Sequence, residues 1–288
     1  MRFWTARQFN IAAMSSVVMP PASLSLPSER LRIVLVGTQH PGNIGSAARA
    51  MKTMGFSRLV LVAPLQFPHP EAYALAAGAN DVLEAAVRVD TLAEAVADCR
   101  LVLGCTARSR RIALEELHPR QAAERGRLAV EAGAEVALVF GRERTGLEND
   151  ELQLCHAAVH IPANPEYSSL NLAAAVQVLA YELRVSWFTD AAEPQAVSVD
   201  VPQTHTLRSE PPATHAQLEG FFSQLAETLD AIDFHKGRTP ASALRKFRRL
   251  FLRADLDARD IRLLRGLLAD AKRMADIAEG RLPPPRTR

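Results

Sequence analysis

The chain reads as an α/β fold, a mostly parallel sheet with helices on both faces, followed by a small all-α domain. Three observations predict it. Short, β-branched apolar runs alternate with stretches of helical composition between Leu31 and Trp187, the pattern of strands buried on both faces. Gly-, Ser- and Asn-bearing loops follow the runs ending near residues 36, 104, 140 and 161, so polar loops converge beyond the carboxyl ends of the strands, where ligands gather in such sheets. Past residue 214, apolar residues recur at helical spacing only.

The first unit sets the theme. Residues 31–36 (LRIVLV) form a buried strand, and the turn formers Gly37, Pro41, Gly42, Asn43 and Gly45 predict a glycine-rich loop ahead of a helix over residues 46–54. A strand, a glycine-rich loop and a helix in succession make an anion or nucleotide site. Two familiar patterns fail here. Gly37 and Gly42 have Walker spacing, but Asn43 and Ile44 stand where Lys and Ser/Thr are needed. Only Gly42 and Gly45 keep part of the dinucleotide fingerprint. What remains is the amide of Asn43 and the guanidinium of Arg49, whose planar fork suits a pair of phosphate oxygens.

Further elements follow in order. Residues 58–62 read as a strand, 71–77 as a short helix, 91–98 as a helix capped by Asp90 or Thr91, and 101–104 as a strand. Residues 135–140 form another strand, which the turn FGRERTGLEND leaves for a short helix over 150–155. The last strand covers 157–161, and Ser168 or Ser169 caps a long apolar helix over 170–187. Residues 190–214, rich in Pro, Ser, Thr and acids, read as a linker. Residues 215–288 form a basic helical domain, with Leu244, Phe247 and Phe251 on one stripe and arginines on the other faces.

Composition bounds the answer. A chain of 288 residues, 48% hydrophobic, holds one well-cored domain plus a smaller one. Its three cysteines show no C-x-x-C spacing, which argues against a disulfide framework or zinc ribbon and makes a reducing cytoplasm the expected compartment. Cys155, His156 and His160 straddle a helix end and a strand with no fourth ligand at hand, so no metal is expected. No apolar run approaches the roughly 18 residues of a membrane span, and no membrane partner is expected.

The net charge of +2 hides a split, because residues 190–233 carry eight acids against one arginine while residues 235–288 carry fifteen Lys/Arg against six acids. The basic end fits a polyanion partner; charge alone fits a solvated helix face equally well. Residues 1–29 have no acid before Glu29 and a Pro/Ser-rich end. With neither a helical face nor a clean cleavage site, they read as a disordered extension or an upstream start outside the fold.

Three segments carry a more specific signal: NIGSAARAMKTMGF from Asn43, FGRERTGL from Phe140, and IPANPEYSSLNLAAAVQVLAYELR from Ile161. Together and in this order they resemble the three motifs of the SPOUT superfamily of RNA methyltransferases, within it the TrmH-like 2′-O-methyltransferases, most closely those that act on cytidine and uridine ribose in tRNA. The resemblance spans roughly Leu31 to Trp187. It implies a C-terminal trefoil knot around residues 140–175, where pattern alone predicts an unknotted sheet. It implies S-adenosylmethionine as methyl donor, held by Cys105, Thr106, Ala107, Gly141, Ile161, Ser168, Ser169 and Leu170, with Gly141 allowing close approach of the backbone to the ligand.

The same resemblance assigns the chemistry to Arg49, Asn43, Glu143, Ser169 and Asn171, with Tyr167 adjacent. A guanidinium is a poor proton acceptor, so Arg49 is expected to bind the flanking phosphate and stabilise the developing alkoxide. Arg245, Lys246, Arg248, Arg249 and Arg253 are expected to contact tRNA, with Phe247 and Phe251 packed in the core. A homodimer is implied, with nucleotide thirty-two of the anticodon loop as acceptor. The rivals are another tRNA or rRNA ribose, a non-catalytic RNA-binding scaffold, and a nucleotide-dependent oxidoreductase, the last disfavoured by the missing glycine fingerprint.

Overall fold

The computed structural model describes residues 28–107, 114–164, 166–189, 211–236, 239–254 and 256–283. The extension expected over 1–29 and the linker expected over 190–214 lie outside the described residues, save 28–29 and 211–214.

Among the described residues, β1 (Leu31–Val36), β2 (Arg58–Val62), β3 (Val87–Val89), β4 (Leu101–Cys105), β5 (Glu115–Leu117), β6 (Val136–Phe140) and β7 (Ala157–Val159) form one seven-stranded sheet in the order β3-β2-β1-β6-β4-β7-β5. Each pairing is parallel. Side chains alternate across a strand, and β1 shows the result. Leu31, Ile33 and Leu35 enter one core with α1 (Pro41–Met54), α2 (Pro70–Ala76), α3 (Asn80–Glu84), α5 (Pro119–Glu131) and α7 (Leu172–Thr189). Val34 and Val36 enter the other with α4 (Leu92–Ala95) and α6 (Asn149–Gln153). Both faces are therefore covered, and each fully buried aliphatic side chain contributes about 1.5–3 kcal/mol of transfer free energy.

One expectation is corrected at α1. The helix begins at Pro41, with His40 as N-cap, so Gly42, Asn43 and Gly45 lie in its first turns and not in a loop. Proline at the first helical position suits a helix start, since its missing N–H would have no partner there. Gly45 is glycine because α2 presses on it: a Cβ there would stand 2.0 Å from the carbonyl oxygen of Ala72. The glycines serve close helix packing, and a loop is not needed to explain them.

The C-terminal helices α8 (His215–Ala231), α9 (Pro240–Arg253) and α10 (Ala258–Ala278) have their own core of Leu218, Phe221, Phe222, Leu225, Leu229 and Ile261, with Phe247 and Phe251 packed against it. Phe221 and Phe251 meet edge to face at 4.9 Å. Thr214 and Gln217 close a capping box on α8. The next N–H groups, of His215 and Ala216, donate to the carbonyls of Cys99 (2.9 Å) and Ala97 (3.0 Å), which docks the helical domain against the sheet domain at the start of β4.

Candidate active site

The N-terminus of α1 presents unpaired backbone N–H groups, and the His40 side chain does not cap them. A carboxylate from elsewhere in the chain does. Glu143 accepts from the backbone N–H of Gln39 (3.0 Å) and His40 (3.1 Å) and from the side-chain amide of Asn43 (2.9 Å). A negative charge is favoured at this end of a helix. Burial opposes ionisation of Glu143 most strongly, but the bonds from Asn43, Gln39 and His40 together outweigh it and hold the pKa below the usual carboxylate value.

Glu143 reaches α1 from a tight loop after β6. Arg142 and Gly146 exchange backbone hydrogen bonds of 3.2 and 2.8 Å, and Gly146 takes a φ of +69° that favours glycine. Arg142 is tied to both oxygens of Glu151 at 3.0 Å. Gly141 at the loop entrance explains itself differently from the sequence reading. A Cβ there would lie 2.1 Å from Gly146 C and Leu147 N, so the close approach it permits is to the chain's own returning backbone.

The third segment arrives through Asn171. Its Nδ2 donates to Oδ1 of Asn43 at 2.9 Å, while its Oδ1 accepts from the N–H of Ala173 at 2.9 Å. Asn171 therefore caps α7, where the sequence suggested Ser168 or Ser169; the serines lie before it in the approach loop. Each asparagine uses its oxygen as acceptor and its nitrogen as donor, so a single amide orientation satisfies the whole relay from Asn171 through Asn43 to Glu143.

Beside this relay lies a cleft of about 180 Å3. Cys105, Thr106, Ala107, Gly141, Ile161, Ser168, Ser169 and Leu170, the positions singled out for the donor, all line it, together with Glu143. Phe140, Leu172 and Ala175 complete an apolar wall that the motifs did not single out; the spacing of Leu172 and Ala175 in α7 was the available signal for two of them, while Phe140 ends β6. Thr106 is held by its N–H to the carbonyl of Val159 (2.9 Å), and its carbonyl meets Nδ1 of His160 (3.3 Å). Burial pushes the Cys105 thiol up to about 12, so it stays protonated and a poor nucleophile at neutral pH.

Other expected residues sit apart from the cleft. Arg49 is exposed, on the open stripe of α1 that includes Asn43 and Ser46, roughly 9 Å farther along the helix axis than Asn43. Among the described residues its guanidinium has no hydrogen-bond or ion-pair partner, and it does not line the cleft. Tyr167 is 80% exposed and does not line it either. Arg245, Lys246, Arg249 and Arg253 are exposed on α9.

Arg248 departs from its neighbours. It turns inward, donating through Nε to the carbonyl of Gln153 (2.8 Å), pairing with Glu219 and lying over the ring of Phe222 (4.6 Å). It ties the two domains together and is not free for RNA. Cys155, His156 and His160 likewise have separate duties. Cys155 packs against Gly104, His156 accepts from the N–H of Val102 (3.0 Å), and burial pushes His156 down to about 3.

Residues 30–181 match the SpoU rRNA Methylase family, and residues 216–280 match the C-terminal domain of the tRNA methyltransferase TrmJ. The chain belongs to the SpoU methylase family. This SpoU methylase is 47% identical over 247 residues to the tRNA (cytidine/uridine/adenosine-2′-O-)-methyltransferase TrmJ of Pseudomonas aeruginosa, covering 86% of this chain and 95% of that protein. It is 51% identical over 244 residues to the tRNA (cytidine/uridine-2′-O-)-methyltransferase TrmJ of Klebsiella pneumoniae, covering 84% and 96%. The crystal structure of TrmJ from Z. mobilis ZM4 superposes with a TM-score of 0.69 at 36% identity, over 83% of this chain and 97% of that one.

Proposed function

We propose that this SpoU methylase transfers a methyl group from S-adenosylmethionine to a ribose 2′-hydroxyl of tRNA, at cytidine or uridine in position thirty-two of the anticodon loop. The observation that carries the reading is the Asn171–Asn43–Glu143 relay, which joins three distant segments beside one cleft. The chain's relatives named above support it.

The chemistry of the cleft's lining suits the donor. Phe140, Ile161, Leu172 and Ala175 offer apolar surface for an adenine, while Thr106, Ser168 and Ser169 bring hydroxyls and backbone groups for a ribose and an amino acid tail. When bound, the donor supplies an electrophilic sulfonium methyl. Glu143 does not take the hydroxyl proton in this scheme, because its oxygens already accept from Gln39, His40 and Asn43 and its pKa is lowered. It positions Asn43 and the start of α1. The guanidinium of Arg49, exposed and unpaired among the described residues, binds the phosphate flanking the acceptor nucleotide and stabilises the developing alkoxide. Ser169, Asn171 and Tyr167 border the acceptor, and the proton leaves to water.

The domain roles follow. Residues 30–189 carry the chemistry, with residues 140–175 threaded as a trefoil knot that gathers the loops; 190–214 link; and 215–288 grip tRNA through Arg245, Lys246, Arg249 and Arg253. A second copy of the chain closes the cleft on the side where Tyr167 and Arg49 stand exposed, giving a homodimer. No helix among the described residues is long and apolar enough to cross a membrane. With Cys99, Cys105 and Cys155 free, we place the enzyme with its tRNA in the cytoplasm.

The test is to incubate the protein with S-adenosylmethionine labelled in the methyl group and bulk tRNA, then hydrolyse in alkali. A methylated 2′-oxygen blocks cleavage, so the label should appear in an alkali-resistant dinucleotide containing nucleotide thirty-two. Label on a base, or none despite donor binding, contradicts the reading.

A further inference from the structure

A second cleft, of about 1120 Å3, opens between the two domains. It is larger than the roughly 300–1,000 Å3 typical of small-molecule sites. Its floor is apolar, and its rim carries Arg100 and Arg125 from the sheet domain and Arg249 and Arg253 from α9. Glu115, the acid on this rim, is bound to Arg125 at 2.8 Å. Asp98 and Glu135, next to the start of β4 and β6, are taken by Arg32 at 2.6 and 3.0 Å. Among the described residues the guanidiniums of Arg100, Arg249 and Arg253 have no hydrogen-bond or ion-pair partner. Three unpaired guanidiniums around one cleft raise a positive potential that an anion would relieve.

The cleft lies at the amino-terminal ends of the strands, opposite the carboxyl ends where the donor site lies. Leu101 opens β4 in the interdomain cleft and Cys105 closes it in the donor cleft, roughly 13 Å apart at strand spacing. An occupant here is therefore not the methylated nucleotide. We propose that the interdomain cleft holds a stretch of tRNA phosphodiester backbone remote from the modified ribose, gripped by Arg100 on one wall and by Arg249 and Arg253 on the other. The proposal rests on the tRNA reading above and adds a wall from the catalytic domain to the grip of the helical one. Rim cations meet phosphates, and the apolar floor accepts sugar or an unstacked base.

The experiment measures tRNA binding to the full chain by fluorescence anisotropy across a salt series, for wild type, Arg100→Gln, Arg253→Gln and the double variant. Each single change should weaken binding about fivefold and lower the salt slope by about 0.7–0.9, as for one lost phosphate contact. Donor affinity by calorimetry should not move. Arg253 is exposed on α9, so its variant remains informative even if Arg100→Gln perturbs folding. Wild-type affinity and slope in both single variants overturn the cleft while methylation of tRNA by wild type leaves the enzyme reading standing. A wild-type chain that neither binds nor methylates tRNA overturns both. Binding of free adenosine monophosphate that is lost in Arg100→Gln, with tRNA binding unchanged in the same variant, assigns the cleft to a small phosphate ligand and overturns the proposal.

Discussion

The amide of Asn171 donates to Oδ1 of Asn43 at 2.9 Å, across 128 residues of chain. Asn43 passes the constraint on to Glu143 at 2.9 Å, so one side chain fixes the relative placement of the α1 start, the loop after β6 and the start of α7. Asn43→Ala strands a donor on Asn171 and removes one from a partly buried carboxylate. The expected cost is about 1–3 kcal/mol in stability and on the order of 10²-fold in single-turnover rate through misplacement, with donor affinity little changed. Denaturant unfolding and rapid-quench methyl transfer check the two halves separately.

Glu143 sets a pH dependence whose sign is fixed. Its folded pKa is depressed below the ordinary value of 4.5, so its stabilising contribution is full above that value and is lost as pH falls through the lower folded value. The stability difference between wild type and Glu143→Gln should therefore shrink as pH falls below the ordinary value of 4.5 and stay level above it. Chemical denaturation at several pH values reads it out; a difference that grows in acid would show that Glu143 is not held by these donors.

Gly45 tests the helix contact. Alanine would raise helix propensity by about 1 kcal/mol, yet its Cβ would stand 2.0 Å from a backbone oxygen of α2 that cannot swing away. Overpacking of this kind costs about 1–3 kcal/mol, so Gly45→Ala should lower the melting temperature. An unchanged or raised value would mean that α2 yields without cost.

These residues also show what the sequence could and could not reveal. β1, β2, β4, β6 and β7 are legible because strands buried on both faces must be apolar throughout. β3 and β5 are not, since they form the two edges of the sheet and Val87, Arg88, Glu115 and Glu116 stay accessible. Gly42 and Gly45 mimic a loop because glycine's small size and its conformational freedom leave the same letter in a sequence. The residues that line the smaller cleft could be grouped from motifs, but the relay linking Asn43, Glu143 and Asn171 is a property of three-dimensional contact. Arg248 shows the converse: a basic stripe does not disclose which of its members turns inward.

Arg49 separates charge from geometry. Its guanidinium is exposed and unpartnered among the described residues, so Arg49→Lys should shift stability by no more than about 0.5 kcal/mol. Loss of the planar fork should nonetheless reduce turnover on the order of 10²-fold, with donor affinity unchanged. Steady-state methylation of tRNA beside calorimetry with S-adenosylmethionine decides it, and full turnover in the lysine variant would remove Arg49 from the mechanism.

The most direct measurement is a crystal structure of the full chain with S-adenosylmethionine. The donor should occupy the cleft walled by Thr106, Gly141 and Ser169, with its sulfonium on the side of the Asn43–Glu143 pair and its methyl open to an incoming ribose. A donor bound at another place, or a sulfonium turned away from Asn43 into the apolar wall, would contradict the assignment.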